Sequence, residues 1–377
     1  MAGLYLHIPF CKQACHYCNF HFSTSLKQKD VMVQAILQEL ALRSTYIGKE
    51  HLETIYFGGG TPSLLSQADL GLIFEKINQL YTIHEKAEIT LEANPDDLSK
   101  QKLGELKDTP INRLSIGVQS FFEEDLQFMN RAHNAKEAKT CIQNAQALGF
   151  NNLTIDLIYG SPTTTNERWK QNIQTVLDFD IPHISCYSLT VEPNTALAHF
   201  VKKGKAEPVD EEKAAQQFEI LMATLKAAGY EHYEISNFAK PDWHARHNSN
   251  YWLGATYLGV GPAAHSFNGT SRQWNIAHNT KYIQAITNNQ STFEKEILSQ
   301  EQQYNEYILT ALRTKWGCNL EKINSWGSNF KTHFEKISKE YIIQGLIQQK
   351  NNIFTLTNKG KLLADKIAME LFIENEE

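Results

Sequence analysis

The sequence predicts an α/β fold: a partial, open (β/α)6 barrel followed by a C-terminal, mainly helical, winged-helix-like domain. Three observations carry that expectation. Short apolar runs alternate with segments of helical periodicity at about 30 residues per unit, the mark of parallel βαβ construction. Six such units are complete by about residue 200, fewer than the eight of a closed barrel. From about Gly204 the pattern changes.

The strands are expected at Leu4–Ile8, Thr54–Phe57, Glu88–Glu92, Arg113–Val118, Leu153–Tyr159 and His183–Leu189, runs rich in β-branched, aliphatic and aromatic residues. Helical periodicity fills the gaps between them. Val31–Arg43 has a face marked by Val31, Ala35, Leu37, Leu40 and Ala41. Leu70–Leu80 is a second helix, and Ala135–Leu148 a third, stopped by Gly149. Beyond Gly204, Ala206–Gly229 reads as one helix closed by a glycine, and Tyr233–Phe238 as a strand. A segment rich in His, Asn, Tyr and Trp follows to about Trp274. The last 75 residues are mostly helical and close with a strand at Ile353–Leu356, a turn at Thr357–Gly360 and a helix from Lys361. The chain divides on this reading into 1–203, a connecting α+β region at 204–298, and 299–377.

Composition narrows the class. The chain has 377 residues, 42% of them hydrophobic, which rules out wholesale disorder. Its 36 basic against 42 acidic residues give a net charge of −6. That balance, with the acidic tail Glu374–Glu377, speaks against nucleic acid as the partner of the winged-helix-like region. No run of 18 apolar residues exists to span a bilayer, and the N-terminal segment lacks the basic-then-apolar order of an export signal. The expectation is a cytoplasmic protein without stable membrane insertion.

Three of the six cysteines, Cys11, Cys15 and Cys18, fall within eight residues. The spacing C-x3-C-x2-C on one tight loop suits three irons of a 4Fe-4S cubane and leaves the fourth iron without a protein ligand, because position 20 is Phe20. Structural zinc, with His16 or His21 as fourth ligand, is the other reading of the same residues. The loop directly follows the first strand, where barrel active sites are built. Gly58-Gly59-Gly60-Thr61-Pro62 follows the second strand, and a glycine run there lets backbone approach a ligand, or simply turns tightly. Glu92 and Gln119 end later strands, Asp156 interrupts an apolar run, and Arg131 follows the fourth strand. An unpaired charge is costly to bury, so their recurrence at one face of a barrel points to a polar ligand.

Tyr5-x-His7-Ile-Pro-Phe-Cys-x3-Cys-x2-Cys, Phe57-Gly-Gly-Gly-Thr-Pro, Ile116-Gly-Val-Gln-Ser120 and Asp156-Leu-Ile-Tyr-Gly160 together resemble the radical SAM enzymes, and within them the oxygen-independent coproporphyrinogen III oxidase group, over residues 1 to about 317. The resemblance implies that Cys11, Cys15 and Cys18 ligate a 4Fe-4S cluster whose open iron is chelated by S-adenosylmethionine. It implies that Tyr5, Gly59, Gly60, Thr61, Glu92, Gln119, Arg131 and Asp156 contact S-adenosylmethionine, with Tyr17 beside the adenine. One electron from the cluster, supplied by an external donor, would then cleave the sulfonium to methionine and a 5′-deoxyadenosyl radical.

Two departures set the chain apart from the oxidase itself. The oxidase ends its motif Cys-x-Cys where this sequence has Cys18-Asn-Phe20, and it carries an extension before the first strand. His247-Asn-Ser-Asn-Tyr251-Trp252 and Glu306–Gly317 instead resemble the heme chaperone branch of the group. That resemblance implies a protein that binds heme and passes it to acceptors such as respiratory cytochromes. His247 becomes the candidate iron ligand, beside an aromatic wall of Tyr251 and Trp252. On spacing alone, His247 reads rather as a hydrogen-bonded core residue, since His232, His244, His265 and His278 surround it in sequence; the resemblance to the branch brings heme ligation level with that reading. The alternative function is oxidative decarboxylation of coproporphyrinogen III to protoporphyrinogen IX.

Overall fold

The computed structural model describes residues 2–48 and 50–374. Six parallel strands form its centre: β1 (Ala2–Ile8), β2 (Leu52–Gly59), β3 (Ile83–Ala93), β4 (Arg113–Gln119), β5 (Leu153–Tyr159) and β6 (His183–Ser188), side by side in chain order. Their register separates two faces. Tyr5, Tyr56, Thr90 and Arg113 are successive partners on one side, as are Glu92, Ser115, Thr154 and His183. The intervening positions, among them Leu4, Leu6, Ile55, Phe57, Leu91 and Leu114, are buried hydrophobic residues of the main core. Apolar residues thus face the surrounding helices and polar ones the interior of the curved sheet, as a partial barrel requires.

The sheet runs on past these six strands. β7 (Glu231–Glu234) and β8 (Asn237–Ala239) form an antiparallel hairpin that adds to the free edge of β6. The single strand expected at Tyr233–Phe238 is therefore two. The Glu234 carboxylate accepts hydrogen bonds from Ser236 N (3.2 Å) and from the Asn237 side chain, turning the chain in the middle of the run. At the other edge β9 (Thr256–Val260) pairs in parallel with β1. β10 (His265–Phe267), β11 (Ser271–Asn275) and β12 (Phe293–Ile297) continue outward from it in antiparallel order. A buried Arg43 pins this extension to the barrel by bonding Glu39 (3.2 Å), the Gly259 carbonyl (3.2 Å) and Gln273 (2.5 Å).

The expected helices stand at Lys29–Leu42, Gln67–Leu80 and Ala135–Ala147. Asn134 and Glu137 form a capping box at the start of the third, and Gly149 takes φ +82° just past its end. The helix expected from Ala206 begins at Glu211, because Asp210 caps it by accepting from Lys213 N (3.1 Å). The C-terminal part has its own buried cluster, centred on Tyr304, Phe334 and Phe354. There β13 (Cys318–Asn319), β14 (Ile347–Lys350) and β15 (Ile353–Leu356) make a small antiparallel sheet against the helices Gln300–Leu312 and Ser328–Ile343. The last helix begins at Ala364, after a short turn at Asn358–Lys361 that Thr357 caps. Among the described residues no helix is long and apolar enough to cross a membrane.

Candidate functional site

The cysteine loop leaves β1 at Phe10 and folds back onto it. Cys11 N donates to Ser23 O (3.0 Å) and Ser23 N to Pro9 O (2.9 Å), which closes the loop at its base. Its middle is tied elsewhere: His16 N donates to Met129 O (3.1 Å), and Asn130 Nδ2 to Ala14 O (2.7 Å). Cys11, Cys15 and Cys18 are free and half-exposed, whereas Cys141, Cys186 and Cys318 are free and buried. Among the described residues no three His, Cys, Asp or Glu side chains converge on one metal ion. A single zinc ion needs its ligand atoms all within about 2.3 Å of one point; a cubane spreads its thiolate ligands over separate irons. Three thiols on one short loop are the donor type an iron–sulfur cluster takes.

The glycine run is explained first by packing. A Cβ on Gly60 would lie 2.6 Å from Phe10 O, and Gly60 N donates to Ile8 O (2.9 Å). Gly59 has φ +105°, and a Cβ there would strike the His7 ring at 2.7 Å. These two glycines let the end of β2 lie against the base of the cysteine loop, and Thr61 beside them bonds the Cys11 thiol.

Arg131 gathers the next group. Its Nη1 donates to Cys15 Sγ (3.2 Å), and Nη2 to Asn94 Oδ1 (2.6 Å) and Gly117 O (2.7 Å). Asn94 also donates to Thr61 Oγ1 (3.3 Å). A Cβ on Gly117 would meet both Gln119 Nε2 (3.0 Å) and Arg131 Nη2 (3.3 Å), so Gln119, at φ 68°, lies in the same cluster. Tyr17 hydrogen-bonds Arg131 as well, with burial holding its phenol protonated. Arg131 Nε is buried without a partner, a donor left over for an acidic ligand group.

Glu92 and Asp156 form the third group. Glu92 accepts from Tyr56 OH (2.7 Å) and Gly59 N (3.2 Å). Burial outweighs those bonds, and with the charge of Asp156 it pushes the carboxyl up to about 7. Asp156 accepts from Ser115 Oγ (3.4 Å) and Ser185, and burial likewise raises it to about 6. Burial outweighs the charge of Arg113 on both groups, and two carboxylates held near neutrality side by side suit a cationic ligand group. The structure thus brings Tyr5, Gly59, Gly60, Thr61, Glu92, Gln119, Arg131 and Asp156 to one end of the sheet, with Tyr17 and the three cysteines. Asn94 joins them unforeseen; its only sequence signal is its place two residues beyond Glu92 in β3.

His247 lies behind this group, against Tyr5 and Tyr56. The helix Arg246–Trp252 enters the concave interior of the sheet, its first two amides donating to Glu88 (both 2.9 Å). His247 is 2% exposed, with Nδ1 bonded to Thr54 Oγ1 (2.7 Å) and Nε2 to Tyr251 OH (2.7 Å). Its ring stacks on Tyr56 at 4.9 Å and on Tyr5 at 6.4 Å. Burial and the nearby Arg113 lower its pKa to about 3, so the ring is neutral. In this arrangement both nitrogens are engaged and neither is open to iron.

A cavity of about 1040 Å³ opens beside both groups. Tyr5, Gly59 and Glu92 form one end, Tyr251 and Trp252 a side, and Tyr307 and Trp326 of the C-terminal part the far wall. The residues missed from sequence, Tyr257, His265, Phe267, Arg272 and Trp326, lie far apart along the chain and meet only here.

The radical SAM superfamily model matches residues 5–176, and the HemN C-terminal domain model residues 298–363. The chain is 35% identical to the heme chaperone HemW of Bacillus subtilis (strain 168) over 371 residues, 97% of this chain and 98% of that protein. It is 38% identical to the heme chaperone HemW of Escherichia coli (strain K12) over 268 residues, 70% of this chain and 69% of that protein. The fold is that of coproporphyrinogen III oxidase (HemN) from Escherichia coli, a radical SAM enzyme, with TM-score 0.85 over 98% of this chain and 90% of that one, at 23% identity.

Proposed function

Since the chain belongs to the HemW family of the radical SAM superfamily, we propose that it is a heme chaperone, holding a 4Fe-4S cluster and S-adenosylmethionine and passing heme to acceptor proteins such as respiratory cytochromes. Cys11, Cys15 and Cys18 hold the cluster on this reading, and an external electron donor reduces it. Bound together, cluster and S-adenosylmethionine supply one-electron chemistry at a sulfonium. The residues of the chain do the rest. Glu92 receives the methionine ammonium, Arg131 its carboxylate, and Asp156 the ribose hydroxyls. Gly59, Gly60 and Thr61 keep the end of β2 close to the loop, Gln119 closes the side, and Tyr5 and Tyr17 flank the ligand. The assigned place of work is the cytoplasm.

The observation that carries this reading is the shared wall: Tyr5, Gly59 and Glu92, which the reading places at S-adenosylmethionine, also line an aromatic cavity of about 1040 Å³. That volume lies just above the roughly 300–1,000 Å³ of small-molecule sites, as a large flat ligand such as a porphyrin needs. The test is an anaerobic titration of cluster-loaded protein with heme, followed by transfer to an apo-cytochrome. Saturable one-to-one binding and transfer are expected. Absence of heme binding, together with protoporphyrinogen IX formed from coproporphyrinogen III, would replace the chaperone by an oxidase.

A further inference from the structure

The cavity carries three imidazoles, His7, His21 and His265, and they differ in what they already hold. His7 is engaged at both nitrogens, with Tyr5 OH at 3.3 Å from Nδ1 and His21 O at 2.9 Å from Nε2. His21 Nε2 bonds Asn279 Oδ1 at 2.7 Å. His265 is exposed to the cavity, and among the described residues its ring makes no hydrogen bond. Heme iron takes a neutral imidazole as axial ligand. Burial and the neighbouring Arg272 both lower the pKa of His265, which favours that form.

The turn that carries His265 is fixed in place. Ala263, two residues before it, has φ +60° and itself lines the cavity. A residue with a Cβ stays in that left-handed region only where its surroundings hold it, and such positions gather at binding sites. Here the surroundings are visible. Ala263 N donates to Ile276 O (3.2 Å), Asn275 N to Ala264 O (2.9 Å), and a Cβ on Gly261 would lie 2.4 Å from His7 O. The turn is pressed against the end of β1, at the strand that leads into the cysteine loop. Trp252, Tyr257 and Phe267 supply apolar faces beside it, and Lys322, over the Trp326 ring at 4.7 Å, supplies a cation for a propionate.

We propose that His265, presented to the cavity by the β9–β10 turn, is the axial ligand to the iron of bound heme, and that His247 acts as a positioning residue that holds Tyr251 and Tyr56 from behind. The assignment rests on the chaperone reading and adds the iron ligand to it. It is tested by titrating full-length wild type, His265→Ala, His265→Gln and His247→Gln with ferric heme, following the Soret band and affinity. Cluster loading of each variant monitors the fold. Both His265 variants are expected to bind at least about 10-fold more weakly with a displaced Soret maximum. Added imidazole should restore that maximum to His265→Ala. His247→Gln should keep the wild-type maximum. An unchanged maximum and affinity in both His265 variants would overturn the assignment, as would a His247→Gln spectrum that shifts in their place. Wild type without saturable binding would overturn the chaperone reading as well, an outcome distinct from either.

Discussion

At the carboxyl ends of β1–β5 nearly every polar side chain already has a partner, whereas the cavity beside them offers ring faces and one imidazole with none. Arg131 alone joins Cys15, Asn94 and Gly117, and Glu92 joins Tyr56 and Gly59. Across the shared wall stand Trp252, Tyr257, Phe267 and His265. The first region is pre-organised for a small ligand dense in charge, whose groups meet fixed donors and acceptors at little reorganisation cost. The second suits a broad apolar plate with an acidic rim, with ring faces for the plate, an imidazole at His265 and a cation at Lys322. On the proposed reading, two ligands of opposite character would sit side by side and share only Tyr5, Gly59 and Glu92.

The sharpest way to break that contrast is at the cysteines. Cys11→Ser, Cys15→Ser and Cys18→Ser are each expected to abolish the cluster, while Cys141→Ser, whose buried thiol bonds Ala138 O (3.1 Å), retains it. Iron and acid-labile sulfide analysis with the visible absorption checks this; a full 4Fe-4S spectrum in any of the three loop variants contradicts the ligand set. Next in size, Asp156→Ala should weaken S-adenosylmethionine about 10- to 100-fold, the worth of a hydrogen bond to a charged group, with cluster content unchanged. Calorimetric titration measures it, and equal affinity would remove Asp156 from the ribose.

The third expectation is a pH dependence. Glu92 serves an ammonium only as a carboxylate, and its free-protein pKa is raised to about 7. S-adenosylmethionine affinity should fall by up to about 10-fold per pH unit below that value, and Glu92→Gln should remove the slope. The stability sign is opposite. A raised folded-state pKa means that Glu92 destabilises the fold progressively from the ordinary carboxylate range up to about pH 7, and fully above it. Glu92→Gln should then melt higher than wild type at pH 8 and lose that advantage near pH 4; a lower Tm at pH 8 would contradict the burial argument. The least effect on ligand affinity, though not on stability, is expected from Gly60→Ala. Its Cβ would crowd Phe10 O at 2.6 Å, an overpacking cost of about 1–3 kcal/mol that also displaces the base of the cysteine loop. Thermal melts and cluster loading should both register it.

How far these regions could be read from sequence follows from how their signals are written. β1–β6 are legible because each is a run of apolar or β-branched residues buried on the outer face, with Gly149 and capping residues marking the intervening helices. β11 and β12 are not: Ser-Arg-Gln-Trp-Asn and Phe-Glu-Lys-Glu-Ile carry charge, and β12 lies at the sheet edge, mostly exposed. At the site, Glu92, Gln119 and Asp156 are legible because strand ends converge by topology. His247 was easy to single out and hard to interpret, since spacing shows an aromatic neighbourhood but not that Thr54 and Tyr251 occupy both ring nitrogens. His265 gives no local signal at all; its position depends on β9 reaching the edge of β1.

That pairing has a consequence in time. Leu6 and Val260 are register partners across β1 and β9, yet 254 residues of synthesis separate them. At about 5–20 residues per second, on the order of 10–50 s pass before the second edge of β1 can be covered. For that interval the strand that leads into Cys11 stays open on one side, and its thiols are carried by an unfinished sheet. Contacts of such long sequence separation also slow folding itself. The sheet beneath the cysteine loop is thereby completed only once the chain has grown to about residue 260, and until then the thiols ride on a strand with one edge uncovered.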